Sequence, residues 1–469
     1  MAYEKWVVEI EFVSGTWTDV TARVDTAGNP FEVVQGDTAE TTDEGSMELT
    51  LNNSDQAFTP GNVNSTYYPN VKAGKRIRVR EVLPSLSAII DVFTGYIEFP
   101  EIEAWTASTT SAPRDQQITI TAVDRITWLS RARPFISTLA EQIRYAAGSQ
   151  LMAHYPLNDD QGAVSAANVT DTFREPLVKK VSSPTTAGGG SGGVEPSLTF
   201  GSGTPLLGDD VASATGVPAV NAGILYSSVY AEARFASPIP QASGETIALV
   251  FWCTYDGTTI DGLVPATIRN NDDTSLQQDM LLYYTAGAWT ARWGPPSSTP
   301  TTLAVSGPQA AKPTLIALRL TLPSGLCEYW RDVDTPATTT LGGSIPTSAT
   351  WSSLAVMGQW AGTLGHVQVH VGVDAYPRAA HLAQFQAGWT GLERQYPGQR
   401  IETLANYAGI PANELNRVDP GVAVMQNASL AGKTPLTAMT EAADTERGSL
   451  YAAGTGELVF ADRRRLYNI

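Results

Sequence analysis

The sequence predicts a mainly β protein built from more than one domain. Three observations carry that prediction. Segments of alternating apolar and polar residues recur along the chain, as in SMELTL, where Met47, Leu49 and Leu51 share one face of a half-buried strand. The 41 Gly and 29 Pro supply turns at a density that suits short strands. The composition shifts near residues 151 and 392, which divides the 469 residues into blocks of ordinary domain size.

Residues 1–135 read as one β-rich block. Its strands are WVVEIEFV, TWTDVTARV, GSMELTLNN, KRIRVREV (apolar at Ile77, Val79 and Val82), DVFTGYIEF and QQITITAVDRITWL. Five or six strands at this spacing predict a small barrel or sandwich. Residues 136–150 read as a helical connector, with Leu139 and Ile143 four apart and Gly148 as a stop. Residues 151–392 are rich in Gly, Ser, Thr, Pro and Trp. They carry strands such as GILYSSVYAEARF, TIALVFWCTY, DMLLYYTA, AWTARW, TLIALRLTL, CEYWRDV and GHVQVHVGV, the pattern of an all-β sandwich. AGGGSGG at 187–193 is a flexible loop, and RAAHLAQFQAGW is one short helix. Residues 393–469 form an α+β segment. Two helices stop at Gly409 and Gly448, and a hairpin sets Leu450 and Tyr451 against Leu458, Val459 and Phe460.

The formal charge of −17 argues against a protein that grips nucleic-acid phosphates, which needs clustered Lys and Arg. Cys253 and Cys327 sit in apolar strand-like runs and read as buried thiols, since two cysteines make no disulfide framework. No window approaches 18 apolar residues, so no helical membrane span is expected. The amino-terminal MAYEKWVVEIEF reads as a strand and not as a secretory signal.

Four segments together resemble the hub-type minor tail proteins of long-tailed phages, especially phages of actinobacterial hosts. They are WTDVTARV at 17–24, GSMELTLNNSDQAFTPGNVNSTYYP at 45–69, VFTGYIE at 92–98 with ITITAVDRITWLSR at 118–131, and IETLANYAGIP followed by TPLTAMTEAADTERGSLYAAGTGELVFADRR. The resemblance implies a tail-tube-like β-barrel and a homotrimeric ring at the tail tip of a virion, assembled in the host cytoplasm. It implies a distal tail protein, a tape-measure protein and tail fibres or other tip proteins as partners.

The middle block resembles a laminin-G/concanavalin A-like jelly roll, on LMAHYPLNDDQGA at 151–163, ETIALVFWCTY, CEYWRDV at 327–333 and the closing strand and helix at 362–391. It reads as an insertion, because hub-like sequence resumes after it. Two other classes fit less well. One is a hexameric distal tail ring protein with a carbohydrate-binding insertion, and the other is a tail-associated glycanase.

No catalytic constellation stands out. Glu232, Glu245 and Glu328 form no paired pattern of the kind glycoside hydrolysis needs, and no G-x-S-x-G is present. The expectation is therefore a non-enzyme. Tyr283, Tyr284, Trp289 and Trp293 are candidates to stack on sugar rings of a host-surface glycan; Trp289 and Trp293, four apart, share a strand face, as core residues also would. No cofactor is expected; folds of the kind the sandwich resembles often carry calcium at the rim, for which Asn270, Asn271, Asp272 and Asp273 are candidate oxygen ligands unless they are only a polar turn, and the NDD at 158–160 is a second such cluster. Phe58, Pro60, Tyr67 and Tyr68 stud a long loop that is a candidate assembly interface. His154, His366, His370 and His381 read as structural histidines, with His366 and His370 on one strand face.

Overall fold

A computed structural model describes residues 5–24, 31–34, 45–83, 88–98, 117–147, 150–170, 175–181, 197–203, 206, 208–209, 213–217, 219–221, 224–227, 229–257, 262–270, 279–294, 301–341, 347–357 and 360–467. The protein is mainly β, with antiparallel sheets in two compact units. The first unit takes residues 1–135, 393–426 and 432–469, and the second takes 136–392 and 427–431. The flexible loop expected at 187–193 lies outside the described residues.

The first unit contains a seven-stranded sheet. In space its strands run Thr16–Asp19, Lys5–Val13, Arg76–Leu83, Ala88–Ile97, Gln117–Val123, Ser46–Asn52 and Phe31–Val34. A bridge between Val24 and Leu51 ties the segment after one edge back to the far side, so the sheet curls on itself. Strand alternation sends Val8, Ile10, Met47, Leu49, Leu51, Ile77, Val79, Ile118 and Ile120 into one core. Two expectations change here. TWTDVTARV is a strand only to Asp19, because the Asp19 carboxylate accepts the Thr21 amide and turns the chain into a short 3-10 helix at Thr21–Arg23. The strand Phe31–Val34, which pairs with Ser46–Asn52, adds to the strands the sequence predicts.

The chain leaves this sheet through the helix Arg125–Arg131, capped by Asp124. Helices Pro397–Tyr407 and Pro435–Glu446 and the hairpin Ser449–Ala452/Leu458–Ala461 complete the unit. The second helix ends on Arg447, which itself adopts a left-handed φ of 54°, one residue before the expected stop at Gly448. In the hairpin Leu450 pairs with Phe460 and Tyr451 with Val459.

The second unit is a sandwich of two eight-stranded sheets. One runs Thr301–Val305, Ala288–Gly294, Asp279–Thr285, Ala266–Arg269, Ala349–Val356, Val229–Gln241, Leu177–Val181 and Ser165–Ala166. The other runs Ser197–Thr199, Ala214–Val217, Gly362–Gly372, Thr246–Tyr255, Thr314–Thr321, Leu326–Arg331 and Ala337–Thr340, with Leu151–Tyr155 added beside Gly362–Gly372. GILYSSVYAEARF divides into two strands, Ile224–Ser227 and Val229–Gln241. Ile247, Leu249 and Phe251 of the second sheet and Met280, Leu282 and Trp293 of the first meet in the shared core.

The outer face of the second sheet is also apolar, with Ala248, Val250, Trp252, Leu315, Ala317 and Trp330 in one cluster. Leu139 and Ile143 of the helix Thr138–Ala147 pack on it, and Phe385 of the helix Arg378–Thr390 stacks on Trp252 with ring centroids 5.9 Å apart. The segment expected as a helical connector at 136–150 is thus part of the sandwich unit. Its apolar pair is the reason, since a face that bears Leu139 and Ile143 is stabilised by burial. Gly388 permits the approach of the other helix, because a Cβ there would lie 2.6 Å from Cζ2 of Trp252.

Candidate functional site

The four segments that resemble hub proteins interlock within the first unit. Arg23 donates to Asp55 at 2.7 Å, joining the first to the second. Asp124 joins the second to the third: its carboxylate accepts the Thr127 amide at 2.9 Å as a helix cap and the Gly45 amide at 3.0 Å. Arg125 joins the third to the fourth. It is 2% exposed, donates to the Gly456 carbonyl at 2.9 Å and forms a close ion pair with Glu414. Arg76 adds a second cation to Glu414 at 3.2 Å.

The loop expected as an assembly interface is divided. Phe58 is buried, and Tyr67 lies flat between it and Phe12, with centroids 4.1 Å from Phe12 and 5.4 Å from Phe58. The Asn53 side chain holds the loop by accepting the Phe58 amide. Phe58 is therefore part of its own unit's core, which corrects its assignment to an interface, while Tyr67 is half-buried against that core. Pro60 is half-buried, and Tyr68 is exposed.

The aromatic candidates in the sandwich need a similar correction. Tyr284, Trp289 and Trp293 point into the core, and Trp293 is fully buried. Backbone lies directly on Trp289, because a Cβ at Gly307 would sit 1.9 Å from Cδ1 of the indole. Alternation turns Tyr283 to the opposite face, where it is half-buried in register with Thr290, next to the Leu281–Arg292 pair. Of the four, Tyr283 is the one that is not buried.

Of the calcium candidates, Asn270 is buried, while Asn271, Asp272 and Asp273 lie outside the described residues. In the second cluster the Asp159 carboxylate accepts the Ala167 amide at 3.0 Å, as a turn residue does. Among the described residues no three His, Cys, Asp or Glu converge as a metal site. The carboxylates weighed for catalysis are separated. Glu232 is on the first sheet, paired with Lys180 and Arg234, and Glu328 is on the second, paired with Arg319. Glu245 accepts the Ala242 amide at 2.7 Å in a turn. Burial would raise Glu232, but the two cations hold its carboxyl below the ordinary range. Both cysteines are free and buried, and burial pushes both thiols up.

The histidines form the most developed polar arrangement. The strand Gly362–Gly372 carries a bulge, since Val250 pairs with Gln368 while Trp252 pairs with Gly365. His366 sits in the bulge with φ of 50°, a left-handed conformation that is uncommon for a residue with a Cβ. The bulge aims its ring at two partners. Nε2 meets Oδ2 of Asp209 at 2.8 Å, and Nδ1 meets Nε2 of His154 at 3.1 Å. The Asp209 carboxylate accepts a hydrogen bond from His366 Nε2, and His366 Nδ1 and His154 Nε2 share the second hydrogen bond. Burial, then the neighbouring His366 and His370, holds His154 far below the ordinary histidine range.

Beside this chain lies a recess of about 20 Å³, lined in part by Asp209, Ser213, Trp252, Thr254, Thr363 and His366. The Thr254 and Thr363 hydroxyls share a hydrogen bond of 2.6 Å. Nothing local in the sequence singles out Asp209, Ser213, Trp252, Thr254 or Thr363. Asp209 stands 157 positions from His366, and only the folded chain brings them together.

By architecture, the chain combines a curled antiparallel sheet unit with a two-sheet β-sandwich unit. No protein-family model and no curated protein sequence matches it. Similar solved structures include domain 4 of AbnA, a GH43 extracellular arabinanase from Geobacillus stearothermophilus, in complex with arabinotriose, at 13% identity and TM-score 0.32, covering 50% of this chain and 98% of that one. The botulinum neurotoxin serotype G binding domain follows at 5% identity and TM-score 0.33, covering 52% of this chain and 53% of that domain. A native heptameric SAP-like pentraxin from Limulus polyphemus is similar at 11% identity and TM-score 0.24, covering 33% and 75%.

Proposed function

We propose that this chain is a hub-type minor tail protein of a long-tailed phage, a structural part of the tail tip that carries a lectin-like sandwich for host-surface glycans. It acts by assembly and binding and not by catalysis. One observation carries the reading: the four segments that resemble hub proteins, drawn from both ends of the chain, are linked by hydrogen bonds through Arg23–Asp55, Asp124–Gly45 and Arg125–Gly456. A chance likeness of scattered segments gives no reason for them to meet. The glycan part is supported by Tyr283, an outward aromatic beside Thr290 and Arg292, the combination of flat apolar surface and polar groups that suits a sugar.

The partners under this reading are two further copies of the chain, a distal tail protein, a tape-measure protein and fibres. Cryo-electron microscopy of intact tails made by the encoding genome tests it. Density for the first unit in a threefold ring at the tip is expected. A sixfold position higher on the tail, or no density, would overturn it.

A further inference from the structure

We propose that the outer face of the first sandwich sheet selects an acidic saccharide, with a sugar ring lying on Tyr283 and its carboxylate or phosphate held by the terminal nitrogens of Arg292. Strand register places the charged side chains of this face, because residues directly opposite in antiparallel strands point to the same side. Glu232 lies opposite Ala355, Ala355 opposite Thr267, Thr267 opposite Leu281, and Leu281 opposite Arg292. Two residues along, Arg234 connects through Ser353 and Arg269 to Asp279. Lys180 reaches the same side, since it pairs with Glu232. These rows set four cations, Lys180, Arg234, Arg269 and Arg292, against two carboxylates, Glu232 and Asp279, in a chain whose formal charge is −17. The carboxylates lie low, at 8% and 9% exposure, while the Arg234 side chain is 74% exposed. The charge that solvent meets across these rows is therefore positive.

Arg292 is the cation of these rows that folding leaves unanswered. Lys180 and Arg234 flank Glu232, and Arg269 lies 3.7 Å from Asp279. Among the described residues no carboxylate pairs with Arg292, and its Nε has no hydrogen-bond partner. The side chain is half-buried; Nε is the nitrogen closed off unpaired, and the terminal nitrogens remain open to a ligand. A guanidinium presents parallel N–H donors that match the two oxygens of a carboxylate or phosphate. Tyr283 is the diagonal neighbour of Arg292 on this face, since Tyr283 pairs with Thr290 and Leu281 with Arg292. Diagonal neighbours stand about 7–8 Å apart, within reach of aromatic and long side chains. A sugar stacked on Tyr283 thus sets an acidic substituent on Arg292. A neutral sugar leaves Arg292 unanswered, and a cationic ligand is repelled by the whole face.

The acid preference rests on the glycan reading of Tyr283 and is independent of the tail-tip position. Saturation-transfer NMR titration of the full-length protein tests it. The probes are methyl glucuronoside, glucose with a phosphate on its primary hydroxyl, and methyl glucoside, with acetate and inorganic phosphate as controls. At least one acidic sugar is expected to bind about tenfold more tightly than methyl glucoside, the effect of one charge-assisted hydrogen bond. The glucuronoside and the sugar phosphate tell which acid is preferred. Arg292→Gln should bring the acidic and neutral sugars to the same affinity. Arg292→Lys, which keeps the charge and loses the fork, should lower the preference without removing it. Circular dichroism checks that each variant is folded, and Arg292→Lys decides if Arg292→Gln is not. Acidic sugars bound no more tightly than methyl glucoside, or a preference unchanged in both variants, would overturn the role of Arg292 and leave the glycan reading standing. Acetate or phosphate bound as tightly as the acidic sugars would make this an anion site without a sugar and would overturn it too. No binding by any sugar would overturn it together with the glycan reading.

Discussion

Arg125 and Glu414 form a buried ion pair across 289 positions of sequence, joining the end of the amino-terminal sheet to the carboxy-terminal helical segment. Replacing Arg125 with Met leaves the Gly456 carbonyl without its donor and Glu414 with only Arg76. The expected loss is about 3 kcal/mol, the scale for breaking one side of a buried pair. Urea unfolding of the full chain measures it. A double-mutant cycle with Glu414→Gln should show strong coupling, and simple additivity would show that the pair does not hold the unit together.

Asp124 caps one helix and also binds the amide of Gly45. Asp124→Ala should cost about 2 kcal/mol, roughly 1 for the cap and 1 for the second hydrogen bond. Gly45→Ala probes the same contact from the other side, because its Cβ would lie 2.7 Å from Oδ2 of Asp124. It should destabilise by about 1–3 kcal/mol through forced repacking. A wild-type midpoint in both variants would contradict this geometry.

Stability and binding should separate cleanly among the sandwich aromatics. Trp289→Ala removes a core indole and should cost about 3–5 kcal/mol. Gly307→Ala should destabilise too, since its Cβ would overlap that indole. Tyr283→Ala should leave the melting temperature within a few degrees of wild type and reduce retention on host cell-envelope material. A loss of retention in a folded Trp289 variant, with Tyr283→Ala unaffected, would place the sugar surface elsewhere.

The buried histidines predict an acid-sensitive sandwich. His370 and His381 are held at about 3, chiefly by burial, and His154 is lowered in the same direction. Unfolding returns each to about 6.5. Between those values the unfolded chain binds more protons, so stability falls as pH drops below about 6.5 and keeps falling towards 3. At pH 5 the two should together cost about 4 kcal/mol relative to neutral pH, about 1.4 kcal/mol per pH unit for each ring. Urea midpoints at pH 7.5 and pH 5.0 test this, and His370→Gln should reduce the difference by about 2 kcal/mol, the share of one ring. Equal midpoints would mean that the rings accept protons in the folded state.

Much of the architecture was legible because strand alternation is a local signal. Met47, Leu49 and Leu51 declare their buried face in six residues, and the pairing of Leu450 with Phe460 follows from one tight turn. What depends on distant partners was not legible. Trp289 and Trp293 shared a face as expected, yet nothing local said which way that face pointed. The left-handed φ of His366 has no Gly or Asn to announce it, and Asp209 reads as one more turn residue in LLGDD. The helix at Thr138–Ala147 was visible, whereas its docking depends on an outer sheet face made apolar by Ala248, Val250 and Leu315.

In the proposed function both ends of this chain build a tail-tip component. Immunogold labelling of intact virions, with antibody raised against residues 136–392, tests it most directly. Label confined to the end of the tail distal to the capsid is expected. Virions free of label, with the chain absent from their protein content by mass spectrometry, would contradict it.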